Sequence, residues 1–76
     1  MNGVERHEFR VAVLDAVIAL NARGAVALRE EIRLKVADEF KDFTRSDLTQ
    51  ALRKHREQGS IRFGIAHGRE GWMVCK

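Results

Sequence analysis

The chain has no proline and no tyrosine, and a single tryptophan and a single cysteine among its 76 residues. One thiol excludes an intrachain disulfide and any zinc site built on several thiolates. The role expected of Cys75 is that of a small buried hydrophobe. With neither proline nor a Gly/Ser run there is no composition for an internal linker, and no repeat or low-complexity segment interrupts the sequence. Long apolar runs are missing too. The stretch over residues 11–20 is broken by Asp15 and falls far short of a membrane span. The basic start of a signal peptide is absent, since Glu5 and Glu8 sit among Arg6 and Arg10. One domain over residues 1–76, cytoplasmic and without a membrane partner, is therefore expected.

Catalytic constellations are equally scarce. His7, His55 and His67 fall in three different elements and share no metal-ligand spacing. The pairs Glu30-Glu31 and Asp38-Glu39 are adjacent on a helix and point to different faces. Gly64, Gly68 and Gly71 belong to a hairpin rather than to a phosphate-cradling loop. Cys75 has no base that the sequence can identify. The expectation is a protein that is not an enzyme and holds no cofactor or metal.

What the chain does have is a hydrophobic fraction of 45% and a charged fraction of 33%, those of an ordinary folded protein. The net charge of +3 is unevenly placed. Residues 43–76 carry seven Lys/Arg against three Asp/Glu, whereas the preceding segments are balanced or slightly acidic. A basic C-terminal half is the electrostatic footprint expected of a nucleic-acid binder, with an ordinary solvated basic surface as the alternative.

The order of elements follows from periodicity. From about Val4 to Asn21, Phe9, Val13, Ala16, Val17 and Leu20 are spaced for one buried helical stripe. Val11, Leu14 and Ile18 form a second stripe beside it. A helix apolar around this much of its circumference needs additional cover, which predicts a homodimer contact through Val11, Leu14 and Ile18, set against simple burial in the monomer. Gly24 suits a helix stop, and Ala25 to Ala27 suit one small strand. A second helix is predicted from Leu28 or Arg29 to Phe40, with Leu28, Ile32, Val36 and Phe40 inward.

The third helix is the most clearly bounded. Thr44 is a good N-cap, Asp47 completes a capping-box variant, and Phe43 and Leu48 occupy staple positions. Gly59 belongs at C′. Leu48, Ala51, Leu52 and His55 share one side, and Ser46, Gln50, Arg53 and Glu57 lie opposite, flanked by Thr49 and Lys54. Beyond Gly59 the period changes to two. Ile61, Phe63 and Ile65 predict a half-buried strand, residues 67–71 a turn with Arg69 at its tip, and Trp72 to Cys75 a second strand.

Helix, short strand, two closely joined helices and a hairpin is an α+β order that resembles a winged helix-turn-helix. At Thr44-Arg45-Ser46-Asp47-Leu48-Thr49-Gln50-Ala51-Leu52, followed by Gly59 and Ile61, the residues resemble the recognition helix and first wing strand of GntR-type and related bacterial regulators. Those typically read Ser-Arg-x-Thr-Val-x-x-Ala-Leu and end in Leu-x-x-x-Gly-Leu-Ile. His55 and Ser60 depart from that pattern at C3 and C″, which predicts a helix end that is more open or covered by a partner. No counterpart to the effector domain of GntR-type proteins is expected within these residues.

The resemblance implies sequence-specific binding of double-stranded DNA by a transcriptional regulator. Residues 44–58 would enter the major groove, with Gln50 placed for adenine and Arg53 for guanine. Ser46 and Thr49 would reach bases or phosphates. Thr44, Arg45, Lys54 and Arg56 would add to the backbone footprint, as would Arg62 on the wing, while Arg69 would approach the minor groove. The alternative is a winged-helix protein-interaction or assembly module. Single-stranded nucleic acid is the weaker expectation, because Phe9, Phe40, Phe43, Phe63 and Trp72 all fall on expected core positions.

Overall fold

A computed structural model describes residues 2–75 as three helices and one antiparallel hairpin, an α+β arrangement. The Asn2 side chain accepts the Glu5 N–H at 2.8 Å and starts α1 (Gly3–Asn21). Phe9, Val13, Ala16, Val17 and Leu20 are the buried residues of α1, the stripe their spacing predicts. The second stripe divides. Leu14 packs against the core, while Val11 and Ile18 remain 44% and 46% exposed.

In α2 (Arg29–Ala37) the Glu31 carboxylate accepts the Leu28 N–H at 3.2 Å, and Ile32 and Val36 are buried. The helix ends before the expected Phe40. Asp38 and Glu39 bond back three residues, to the Lys35 and Val36 carbonyls, a tightening that closes the helix. Phe40 turns inward beyond that point, its ring edge-on to Phe9 with centroids 5.5 Å apart. Phe43 closes on the same ring at 5.1 Å.

Both predicted signals bound α3 (Arg45–Glu57). Thr44 Oγ1 accepts the Asp47 N–H at 3.1 Å, and the Asp47 carboxylate accepts the Thr44 N–H at 2.9 Å. Gly59 takes a φ of 77°. Its N–H bonds the Arg56 carbonyl and that of Ser60 bonds the His55 carbonyl, which forms a Schellman ending. The open helix end expected from His55 and Ser60 is not found. His55 is only 7% exposed, and its Nε2 lies 2.6 Å from the Arg10 carbonyl oxygen, so a hydrogen bond to α1 replaces the apolar contact.

Ile32, Leu48, Leu52 and Ile61 complete the centre of the core around Phe9, Val13 and Val17. Full burial of each such side chain contributes about 1.5–3 kcal/mol before entropy is counted.

The hairpin pairs β1 (Ile61–Ala66) with β2 (Arg69–Val74), with Phe63 opposite Trp72 and Gly64 opposite Gly71. Its turn is two residues, His67 and Gly68, with φ of 54° and 77°. That is the primed geometry matching strand twist. The five-residue turn over 67–71 is thus corrected. Because His67 accepts a left-handed backbone, Arg69 starts β2 opposite Ala66 rather than capping the tip.

The short strand expected at Ala25 to Ala27 reduces to one bridge, in which Ala27 and Trp72 exchange two main-chain bonds of 2.9 Å. Asn21 reinforces it, accepting the Val74 N–H at 2.8 Å and donating to the Ala25 and Trp72 carbonyls at 3.1 Å. Gly71 is buried where a Cβ would stand 2.8 Å from Val26 and 2.9 Å from the Ala27 carbonyl. This close approach explains the glycine.

Two burial expectations fail in the hairpin. Only Ile61 of the β1 stripe is buried, since the strand runs past the helices and leaves Phe63 51% and Ile65 67% exposed. Phe63 rests edge-on against Trp72, centroids 5.3 Å apart. Cys75 lies beyond the end of β2 and is partly exposed rather than buried.

Candidate nucleic-acid interface

The ten residues singled out from sequence fall into two groups. Thr44, Arg45, Ser46, Thr49, Gln50, Arg53, Lys54 and Arg56 lie on α3 or at its cap, and Arg62 and Arg69 lie on the hairpin. All are exposed except Thr49, which is half-buried. Among the described residues no hydrogen bond joins the two groups.

Around α3 the exposed side chains follow the helical period, because Leu48, Ala51, Leu52 and His55 are turned into the core. That leaves Ser46, Gln50 and Arg53 outward. Gln50 Nε2 donates to Ser46 Oγ at 3.3 Å, one helical turn earlier, and the Arg53 guanidinium has no hydrogen-bond partner among the described residues. Arg45 stands in the first turn, near the amides left free by the helix start.

Thr49 is more constrained. Its hydroxyl donates to the Arg45 carbonyl at 3.0 Å and accepts from Arg29 Nη2. The same Arg29 nitrogen donates to the Arg45 carbonyl at 3.0 Å. Thr49 therefore ties the first turn of α2 to that of α3, and base contact would require it to give up part of this arrangement.

The electrostatics are mixed at the helix start and basic further along. The N–H of Thr44 holds the Asp47 carboxyl below the usual carboxylate range, with Arg6 adding in the same direction. Arg53, Lys54 and Arg56 follow on the exposed side. Between α1 and α3 opens a cleft of about 360 Å³ that brings Arg6 and Arg10 beside Gln50, Arg53 and Lys54, with Asp47 and Glu57 also on its wall.

Sequence reasoning missed Arg6, Arg10 and Arg29. They lie far from α3 along the chain, and only the packing of α1 and α2 delivers them there. On the hairpin Arg62 and Arg69 share a face and Glu70 takes the other, as alternation along β2 requires. Adjacent Arg69 and Glu70 are thus separated by the sheet.

Among the described residues no cluster of three or more His, Cys, Asp or Glu is placed to hold a metal ion. No helix there is long and apolar enough to cross a membrane. Compared with protein-family models, curated proteins and solved structures, the chain finds no match.

Proposed function

We propose that the chain is a winged-helix protein that binds double-stranded DNA sequence-specifically, as a small transcriptional regulator. The observation that carries this reading is the outward face of α3. A helix capped at both ends presents Ser46, Gln50 and Arg53 to solvent, flanked by the cations Arg45, Lys54 and Arg56. Those residue types suit hydrogen bonding to base edges from the first half of a helix in the major groove. The Arg29 bonds to the Arg45 carbonyl and Thr49 would fix the angle between α2 and α3 on which such an insertion depends. Arg62 and Arg69, on one face of the hairpin, would serve as the wing cations toward phosphate and the neighbouring minor groove.

One such module covers little DNA, so two copies on a two-fold related site would supply the discrimination. Two surfaces are open to such a contact, Val11 and Ile18 on α1 with Leu14 half-buried behind them, and the outer edge of β1 at Phe63 and Ile65.

The experiment is a salt series of binding to random duplex, single-stranded DNA and RNA, followed by selection of a preferred duplex sequence. Steep salt dependence on duplex, with a sequence recovered by selection, is the expected result. Binding to none of the three would remove the reading. A second reading, a winged helix used for protein contacts, draws on exposed Phe63 and Ile65, which DNA backbone does not call for.

A further inference from the structure

The open edge of β1 carries an unused set of bonding groups. Trp72 spends both its main-chain groups on Ala27, away from β1, so the Phe63–Trp72 pair exchanges none. The N–H and C=O of Phe63 therefore point to the outer side of β1, and alternation puts those of Ile65 beside them. None of the four finds a partner among the described residues. The Phe63 and Ile65 side chains, 51% and 67% exposed, stand on the same edge. Proline, a bulge and lysine, the usual devices that blunt an edge, are missing from this strand. Its one charged residue, Arg62, lies on the opposite face from Phe63 and Ile65.

We propose that this edge is the docking surface for a second copy of the chain, the two β1 strands pairing antiparallel about a two-fold axis at Gly64. In this register Phe63 faces Ile65 of the second copy, and Ile65 faces its Phe63. The outward main-chain groups of 63 and 65 form the hydrogen-bonded pairs, and the two hairpins join into one four-stranded sheet. Charge agrees with it, since Arg62 meets Ala66 of the second copy and no like charges face each other across the new pair.

Neighbouring registers do worse. A slip toward the helices sets Ile65 opposite Ile61, which is already buried in its own core and has no surface to offer. A slip toward the tip sets Phe63 opposite His67, whose backbone is left-handed. A copy docked on both α1 and β1 would propagate open chains rather than closed pairs. The strand edge has unpaired main-chain groups as well as apolar side chains, whereas the exposed face of α1 has only side chains to offer. The edge is short against the roughly 1,600 Å² of a standard interface, so the dimer is concentration-dependent.

The pairing is tested without nucleic acid. On the outer edge the Gly64 pair is the non-hydrogen-bonded kind, with Cα atoms about 4.5 Å apart, within disulfide reach. A Cβ at Gly64 meets only the ends of the Met73 and Arg62 side chains, which can move. In a Cys75→Ser background, Gly64→Cys incubated with oxidised glutathione is expected to give a covalent dimer, and Ala66→Cys, which would face Arg62, far less. By sedimentation the unmodified chain is expected to pass from monomer to dimer with rising concentration, and Ile65→Lys to raise the dissociation constant about ten-fold or more while leaving the circular dichroism spectrum unchanged.

Three results overturn the proposal. They are a monomer at every concentration up to millimolar, equal cross-linking by the two cysteine variants, and a dimer indifferent to Ile65→Lys but lost with Val11→Glu.

Discussion

His55 and Arg10 are joined by a hydrogen bond of 2.6 Å that fastens the end of α3 to the middle of α1. The acceptor is a carbonyl, so Nε2 carries the proton, and Nδ1 is left buried with no partner among the described residues. His55→Leu removes that orphaned nitrogen together with the bond, and its effect in urea unfolding is expected to stay within about 1 kcal/mol. His55→Ala leaves a cavity as well, and is expected to cost about 2–3 kcal/mol. Equal losses for both variants would contradict this account.

The start of α3 depends on Thr44 and Asp47 bonding each other's backbone. Thr44→Ala is expected to lower stability by about 1 kcal/mol. Asp47 adds a pH dependence of known sign. Its carboxyl is held below the usual range first by the Thr44 N–H, so its contribution is present above the unfolded-state value and is lost as pH falls through the folded one. Stability measured from neutral pH into acid should therefore fall less steeply in Asp47→Asn than in the unmodified chain.

Two glycines of one cross-strand pair should respond differently to alanine. At Gly71 a Cβ meets the Ala27 backbone carbonyl and the Val26 side chain at under 3 Å, and nothing there can move cheaply. Gly71→Ala is expected to cost about 1–3 kcal/mol and to loosen the hairpin. At Gly64 the obstacles are the ends of flexible Met73 and Arg62 side chains. Gly64→Ala should be tolerated, a contrast that thermal melts of the two variants will read.

On duplex DNA, the proposed readers and the proposed backbone contacts separate by measurement. Gln50→Ala and Arg53→Ala should relax selection at one position each, at about 1–3 kcal/mol for the preferred base. Lys54→Ala, Arg62→Ala and Arg69→Ala should weaken all sequences alike and reduce the salt slope by about one unit each. No change in slope for Arg62→Ala or Arg69→Ala removes the hairpin from the mechanism.

The helices were more legible than their surroundings. The α1 stripe from Phe9 to Leu20 and the bounds of α3 at Thr44 and Gly59 are local patterns, and local patterns survive folding. Periodicity assigns a residue to a face but does not say whether anything covers that face. Phe63 and Ile65 share a period with Ile61 yet project past the helices, and Val11 and Ile18 are left outside while Leu14 turns in. The two-residue turn was hard to read because it needs His67 in a left-handed conformation, which histidine adopts more readily than most residues but still uncommonly. Arg29, Arg6 and Arg10 reach α3 only through tertiary packing, and nothing in their own neighbourhood marks them.

The bonds that hold the hairpin to the helices run through the main chain of Trp72 and Val74, to Ala27 and to the Asn21 side chain. Every amino acid except proline brings those groups. Beyond Gly71, whose close approach to Val26 and Ala27 admits no side chain, attachment is thereby uncoupled from residue identity, and residues 64–70 can be rewritten, by drift or by an engineer, without the hairpin coming loose from the body that carries it.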